Sequence, residues 1–176
     1  MIDSAGIYRM ANNLVLSHGT RNALEIASAV GINVVFVDYF TDNVKAVYIN
    51  RFGLASSFFN DKLLETPYTL NEVGGHEMGH HFLHSDAAEN GLTEFDLYHT
   101  NNMMEYEANA FAAHLIIDTD ECMELVKNGC DVITAAKILN VELPLLLIKL
   151  QELKRLGYKV TVPITVHGDF WKNIRV

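Results

Sequence analysis

The chain has 176 residues, of which 49% are hydrophobic and 20% charged, and its formal net charge is −9. That length and composition suit one globular domain with its own core and exclude a disordered chain. The acidity argues against general binding to nucleic acid or to an anionic membrane, both of which require basic surface.

The opening Met1-Ile2-Asp3-Ser4 has no basic segment leading into an apolar one, so no signal peptide is expected. A first helix is predicted over Asp3 to Leu16, and a second from an N-cap at Thr20 to a stop at Gly31. The β-branched run Ile32 to Val37 reads as a buried strand. Thr41-Asp42-Asn43 is turn chemistry, Val44 to Asn50 a second strand, and Ser56 to Asn60 a short third strand at a sheet edge. Thr66-Pro67 starts a helix that runs to about His84, since proline suits the first helical position. A loop around Gly91 follows. Further helices are predicted over Asn102 to Ile117, Asp120 to Asn128, Val132 to Leu139 with Asp131 as its cap, and Pro144 to Leu156, stopped by Gly157. The tail contains the β-prone Lys159-Val160-Thr161-Val162. No apolar run approaches the roughly 20 residues of a membrane span. Cys122 and Cys130 fit neither a disulfide framework nor a CxxC ligand pair, and suit two idle thiols in a reducing cytosol. A cytoplasmic protein of the α+β class is expected, helix-rich with a small sheet. Residues 1–130 would form the main domain and 131–176 a C-terminal helical appendage packed on it.

Gly75-His76-Glu77-Met78-Gly79-His80 contains H-E-x-x-H. Positions i and i+4 lie one turn apart on one helix face, so His76 and His80 can bind one Zn²⁺ together. Zinc lowers the pKa of a water toward neutrality, and Glu77, beside a ligand but not one itself, can accept the proton as general base. Gly75 and Gly79 are also i and i+4. Glycine in a helix costs up to about 1 kcal/mol relative to alanine, so this pair points to a close approach by another element.

A catalytic zinc needs a third protein ligand. The segment Glu105-Tyr106-Glu107-Ala108-Asn109-Ala110-Phe111-Ala112 offers two candidates. At roughly 100° per residue Glu105 and Glu107 stand about 200° apart, so only one faces the metal. Glu105 shares its face with Ala108, Asn109 and Ala112, which permit approach to the glycine strip, and it is the preferred ligand over Glu107. Asn109 can orient His76 or Glu105 by a hydrogen bond. His81 and His84 read as partly exposed helix residues, and Glu107 as a helix-surface charge. Tyr98, His99, Tyr106 and His114 are conceivable oxyanion partners, none of them singled out.

These residues resemble the ImmA/IrrE family of zinc metallopeptidases. The likeness lies in the small-residue HExxH helix from Gly75 to His84, the E-x-x-A-N-x-F-A helix from Glu105 to Ala112, and the helix–strand–strand lead-in from Leu24 to Asn50. It covers about residues 15 to 160. It implies a gluzincin-like, zincin-type fold, a third zinc ligand on the second motif helix, and intracellular cleavage of a regulator. The family's members are often encoded on phages and integrative elements, where they cut a helix-turn-helix repressor. This chain departs from the family where a proline usually follows: Leu115-Ile116-Ile117 leads instead to Asp118.

Two other functions compete with an active peptidase. One is a zinc-stabilised module that regulates a protein partner without cutting it, which would use the same ligands but not Glu77. The other is DNA binding by Val132 to Leu139 and Leu145 to Leu156, whose spacing resembles a helix-turn-helix; packing on the main domain is the expected role instead. A peptide substrate is expected to add as a strand to Ser56–Asn60 or Val44–Asn50.

Overall fold

A computed structural model of the chain describes residues 3–38, 44–64, 66–85, 92–94 and 103–160. Within these lie helices α1 (Ser4–His18), α2 (Ala23–Ala29), α3 (Pro67–His84), α4 (Met103–Ile116), α5 (Thr119–Lys127), α6 (Val132–Leu139) and α7 (Leu143–Arg155). The strands are β1 (Asn33–Val37), β2 (Ala46–Arg51), β3 (Leu54–Asn60) and β4 (Leu92–Glu94). The architecture is α+β, helix-rich with a small sheet, as the sequence predicts. The turn expected at Thr41-Asp42-Asn43, the loop at Gly91 and the β-prone Thr161-Val162 lie outside the described residues.

Helix starts follow local chemistry. Asp3, Thr66, Asp118 and Asp131 each accept a backbone N–H from the first turn of the helix they precede. Thr20 is not the cap of α2. It accepts the Asn22 N–H, and Asn22 caps the helix by accepting from Leu24 and Glu25. Asp118, at the place of the family's proline, caps α5 and pairs with Arg21, whose guanidinium also donates to the Leu115 carbonyl at 2.9 Å. The exit from α4 is thus closed by a side-chain pair.

The sheet order is β1-β3-β2-β4, with β1 parallel to β3 and the other pairs antiparallel. This corrects three expectations. Ser56–Asn60 does not lie at an edge: β3 sits between β1 and β2, and β2 between β3 and β4. Both strands expected to receive a substrate strand are therefore inner ones. β1 is an outer strand and only partly buried, with Phe36 51% exposed. β4 was not foreseen; it pairs its three residues with Ala46–Tyr48. β2 and β3 join through Phe52 and Gly53, at φ 54° and 75°. Two consecutive positive φ values make the tight hairpin turn whose twist matches the strands.

Helix α3 packs on β2 and β3 through one face and on α4 through another, while α1 and α7 also cover α4. Tyr48 of β2 and Phe59 of β3 are buried. Phe111 and Leu115 of α4 share one apolar cluster with Ala135 and Ala136 of α6 and Leu145, Leu146, Leu150 and Leu153 of α7. The face that a DNA-reading helix would present is therefore spent on the core in α7. Its Lys149 is fully buried between His114 and Thr119. The N-terminus of α7 is tied to α3, where Glu72 accepts the Glu142 N–H at 2.6 Å.

Candidate metal centre

Every residue from Glu72 to His80 is buried. A helix buried on all sides would be costly with His76, Glu77 and His80 in it unless these polar groups had work or partners there. The glycines explain how they are approached so closely. A Cβ on Gly79 would stand 2.7 Å from Ala108 Cα, and one on Gly75 would stand 3.1 Å from Ala112 Cβ. Bare backbone on α3 thus lies directly against the alanine face of α4, as the shared spacing predicts.

That contact carries Glu105 to the histidines. Its Oε2 lies 3.2 Å from His76 Nε2 and 3.5 Å from His80 Nε2, and the two Nε2 atoms are 2.9 Å apart. Asn109, one turn along α4, accepts from His76 Nδ1 at 3.0 Å. With its proton on Nδ1, the neutral His76 ring has its lone pair on Nε2, aimed at the other two groups. Two imidazole nitrogens and a carboxylate oxygen all lie within 4.8 Å of one another. Lone-pair donors converging in this way fit a cation, and the nitrogen–nitrogen–oxygen set suits zinc.

The electrostatics agree with that use. Burial lowers the pKa of His80 and is reinforced by His76 and His84, against the pull of Glu105, so the ring is neutral near pH 7. Burial alone would raise the pKa of Glu105. The hydrogen bonds and charge that the His76 and His80 rings offer when they carry a proton on Nε2 outweigh it and hold the carboxyl far below the usual range. Tyr48, beneath α3, is pushed up to about 12 by burial and by the negative charge of Glu77. Its hydroxyl is 2.7 Å from His81 Nδ1.

Glu107 is not one of the three converging groups, but it is not a free surface charge. Its Oε2 lies 3.1 Å from His84 Nε2, and His84 Nδ1 lies 3.2 Å from His80 Nδ1. His84, like His81, is of intermediate burial as expected, but its side chain is only 7% exposed and is paired with Glu107. The i+4 spacing of His80 and His84 was the available signal. Tyr106 donates to buried Glu152 at 2.7 Å and His114 lies beside Lys149, which places both in the packing of α4 against α7. Tyr98 and His99 lie outside the described residues.

A His/His/Glu triad, its histidines buried and its glutamate partly so, on two packed helices of an α+β domain is the pattern of a metallopeptidase-type protein. Residues 66–150 match the sequence model of the Peptidase M78 family, the IrrE N-terminal-like domain. That stretch contains both motif helices, and the match supports membership of the ImmA/IrrE family. No curated protein and no solved structure gives a significant match. Among the described residues no helix is long and apolar enough to cross a membrane.

Proposed function

We propose that this chain is a zinc-dependent endopeptidase of the cytoplasm that hydrolyses a peptide bond in one specific protein, with a helix-turn-helix transcriptional repressor as the substrate class. The observation that carries the reading is the convergence of His76, His80 and Glu105 beside Glu77 on a buried helix. His76, His80 and Glu105 would hold the ion. Zinc bound there supplies a Lewis acid that polarises the scissile carbonyl and brings the pKa of water toward neutrality. Glu77 is the general base. One of its carboxylate oxygens takes the proton of the attacking water and then delivers it to the leaving amine nitrogen. Asn109 fixes the His76 ring by holding its Nδ1 proton. The repressor class rests on the family likeness, and the net charge of −9 suits a protein that meets its target as a protein rather than on DNA.

The test is metal analysis of the purified chain, followed by incubation with the repressor encoded nearest its gene. One zinc per chain and a single cut are expected. Glu77→Gln keeps the zinc, the fold and partner binding, because the amide is nearly isosteric, but it cannot accept the proton. Cleavage should fall by about 10² to 10⁴-fold. If Glu77→Gln controls the partner normally, proteolysis is not the function, and a zinc-stabilised binding module replaces it.

A further inference from the structure

We infer that α7 is a brace that fixes the register of α4 against α3, with Glu72 and Glu152 as its positioning residues; the inference rests on the zinc reading of the His76, His80 and Glu105 cluster. The contact that brings Glu105 to the histidines is smooth. Gly75 and Gly79 lie against Ala112 and Ala108, whereas helices hold their register where side chains of one sit in the grooves of the other. Glycine against alanine sets how close α3 and α4 come. It leaves sliding and rotation to be fixed elsewhere.

Helix α7 is tied to both of these helices. At its start the Glu142 side chain makes no cap, and the position three residues on is the buried, apolar Leu145. The acceptor that a capping box would place there comes instead from α3. Glu72 Oε1 takes the Glu142 N–H at 2.6 Å, one helical turn before His76. Toward the other end of α7, Glu152 Oε1 accepts at 2.7 Å from Tyr106, the neighbour of Glu105 in the first turn of α4. Arg155 donates to the same oxygen at 2.7 Å, and its guanidinium lies 4.9 Å from the centre of the Tyr106 ring. Glu72 and Glu152 are 1% and 0% exposed, and Glu152 Oε2 has no hydrogen-bond partner among the described residues. Stability alone does not call for such a group, since apolar side chains of similar volume commonly serve as well or better. A hydrogen bond adds direction, and here it fixes the turn of α4 that carries Glu105.

The experiment uses the full chain with Tyr106→Phe and Glu152→Leu together, so that neither partner is left buried and unpaired. Zinc affinity is read by competition with a chromophoric chelator, far below the urea midpoint of each chain. The brace predicts opposite movements. The urea midpoint should hold or rise, while zinc affinity falls roughly 10- to 100-fold, the range for groups that orient a ligand. Tyr106→Phe alone should also lower the affinity, and it decides the question if the double variant does not fold. Glu152→Gln keeps an acceptor oxygen and should lower the affinity least. Wild-type affinity in Tyr106→Phe or in the double variant, or a loss no larger than the loss of folded chain explains, overturns the brace. A wild-type chain that takes up no zinc defeats the zinc reading instead. The register is then read in the zinc-free chain from NOEs between the Ala108 methyl and the Gly79 α-protons. Weaker NOEs in the variants are expected, and unchanged ones overturn the brace.

Discussion

At the scale of single residues, the cluster is ordered by how strongly each group should matter to zinc. Glu105→Ala removes the proposed ligand oxygen, which lies 3.2 Å from His76 Nε2, and should abolish tight binding. Asn109→Ala removes only the acceptor that holds the His76 proton, so a loss of roughly 10- to 100-fold is expected. Chelator competition on the two variants checks the order, and an Asn109→Ala chain that binds as wild type would show that His76 needs no orienting partner. These placements were legible in the sequence because each depends on position within one helix. His76 and His80 share a face by spacing alone, and the 100° step separates Glu105 from Glu107. The pairing of His84 with Glu107 was not legible, since it joins residues 23 apart on two helices whose relative height no local pattern sets.

At the scale of elements, the contact between α3 and α4 is decided by the two glycines. Gly79→Ala should gain up to about 1 kcal/mol in helix propensity. It also puts a methyl 2.7 Å from Ala108 Cα and 2.9 Å from the Ala108 carbonyl oxygen. Those are backbone atoms and cannot swing aside, so overpacking of about 1–3 kcal/mol should win. The net effect is a destabilised chain whose α4 is pushed outward, carrying Glu105 away from the histidines. Urea unfolding together with zinc affinity checks this, and a variant that is more stable and binds zinc normally would contradict the close contact. Helix boundaries were readable because Asp118, Asp131, Thr66 and the glycines at helix ends act locally. Strand order was not. β1 reads as buried because it is β-branched, yet its place at the outside of the sheet is fixed by the partners of β3. The hairpin turn escaped notice because it places Phe52, a bulky residue, at positive φ. Three-residue β4 is too short to show an alternation.

At the scale of the whole molecule, α7 is bound into the core with a lysine inside it, and this gives stability a distinctive pH dependence. Lys149 donates to His114 Nδ1 at 3.2 Å and to Thr119 at 3.0 Å, with the Tyr8 ring beneath it. Burial drives the Lys149 pKa from 10.5 down to about 7, with Cys122 and Asp118 opposing and Arg21 assisting. Burial and the Lys149 charge take His114 from 6.5 down to about 3. Both pKa values are lower in the folded chain than in the unfolded one. The unfolded chain therefore binds more protons between about 7 and 10.5 through the lysine, and between about 3 and 6.5 through the histidine. Stability should rise with pH across each window and fall as pH drops through it. Each group contributes a slope of at most about 1.4 kcal/mol per pH unit. Lys149→Met fills the same space without a charge, so the urea midpoint of that variant should change less between pH 7 and pH 9 than the wild-type midpoint does. Equal changes in the two chains would mean that Lys149 is not held below its ordinary pKa. The prediction also bears on the C-terminal helices as a DNA reader. A lysine that reads phosphate must keep its charge in water, whereas Lys149 is held where its charge is disfavoured, so α7 works in this chain as the packing partner of α4.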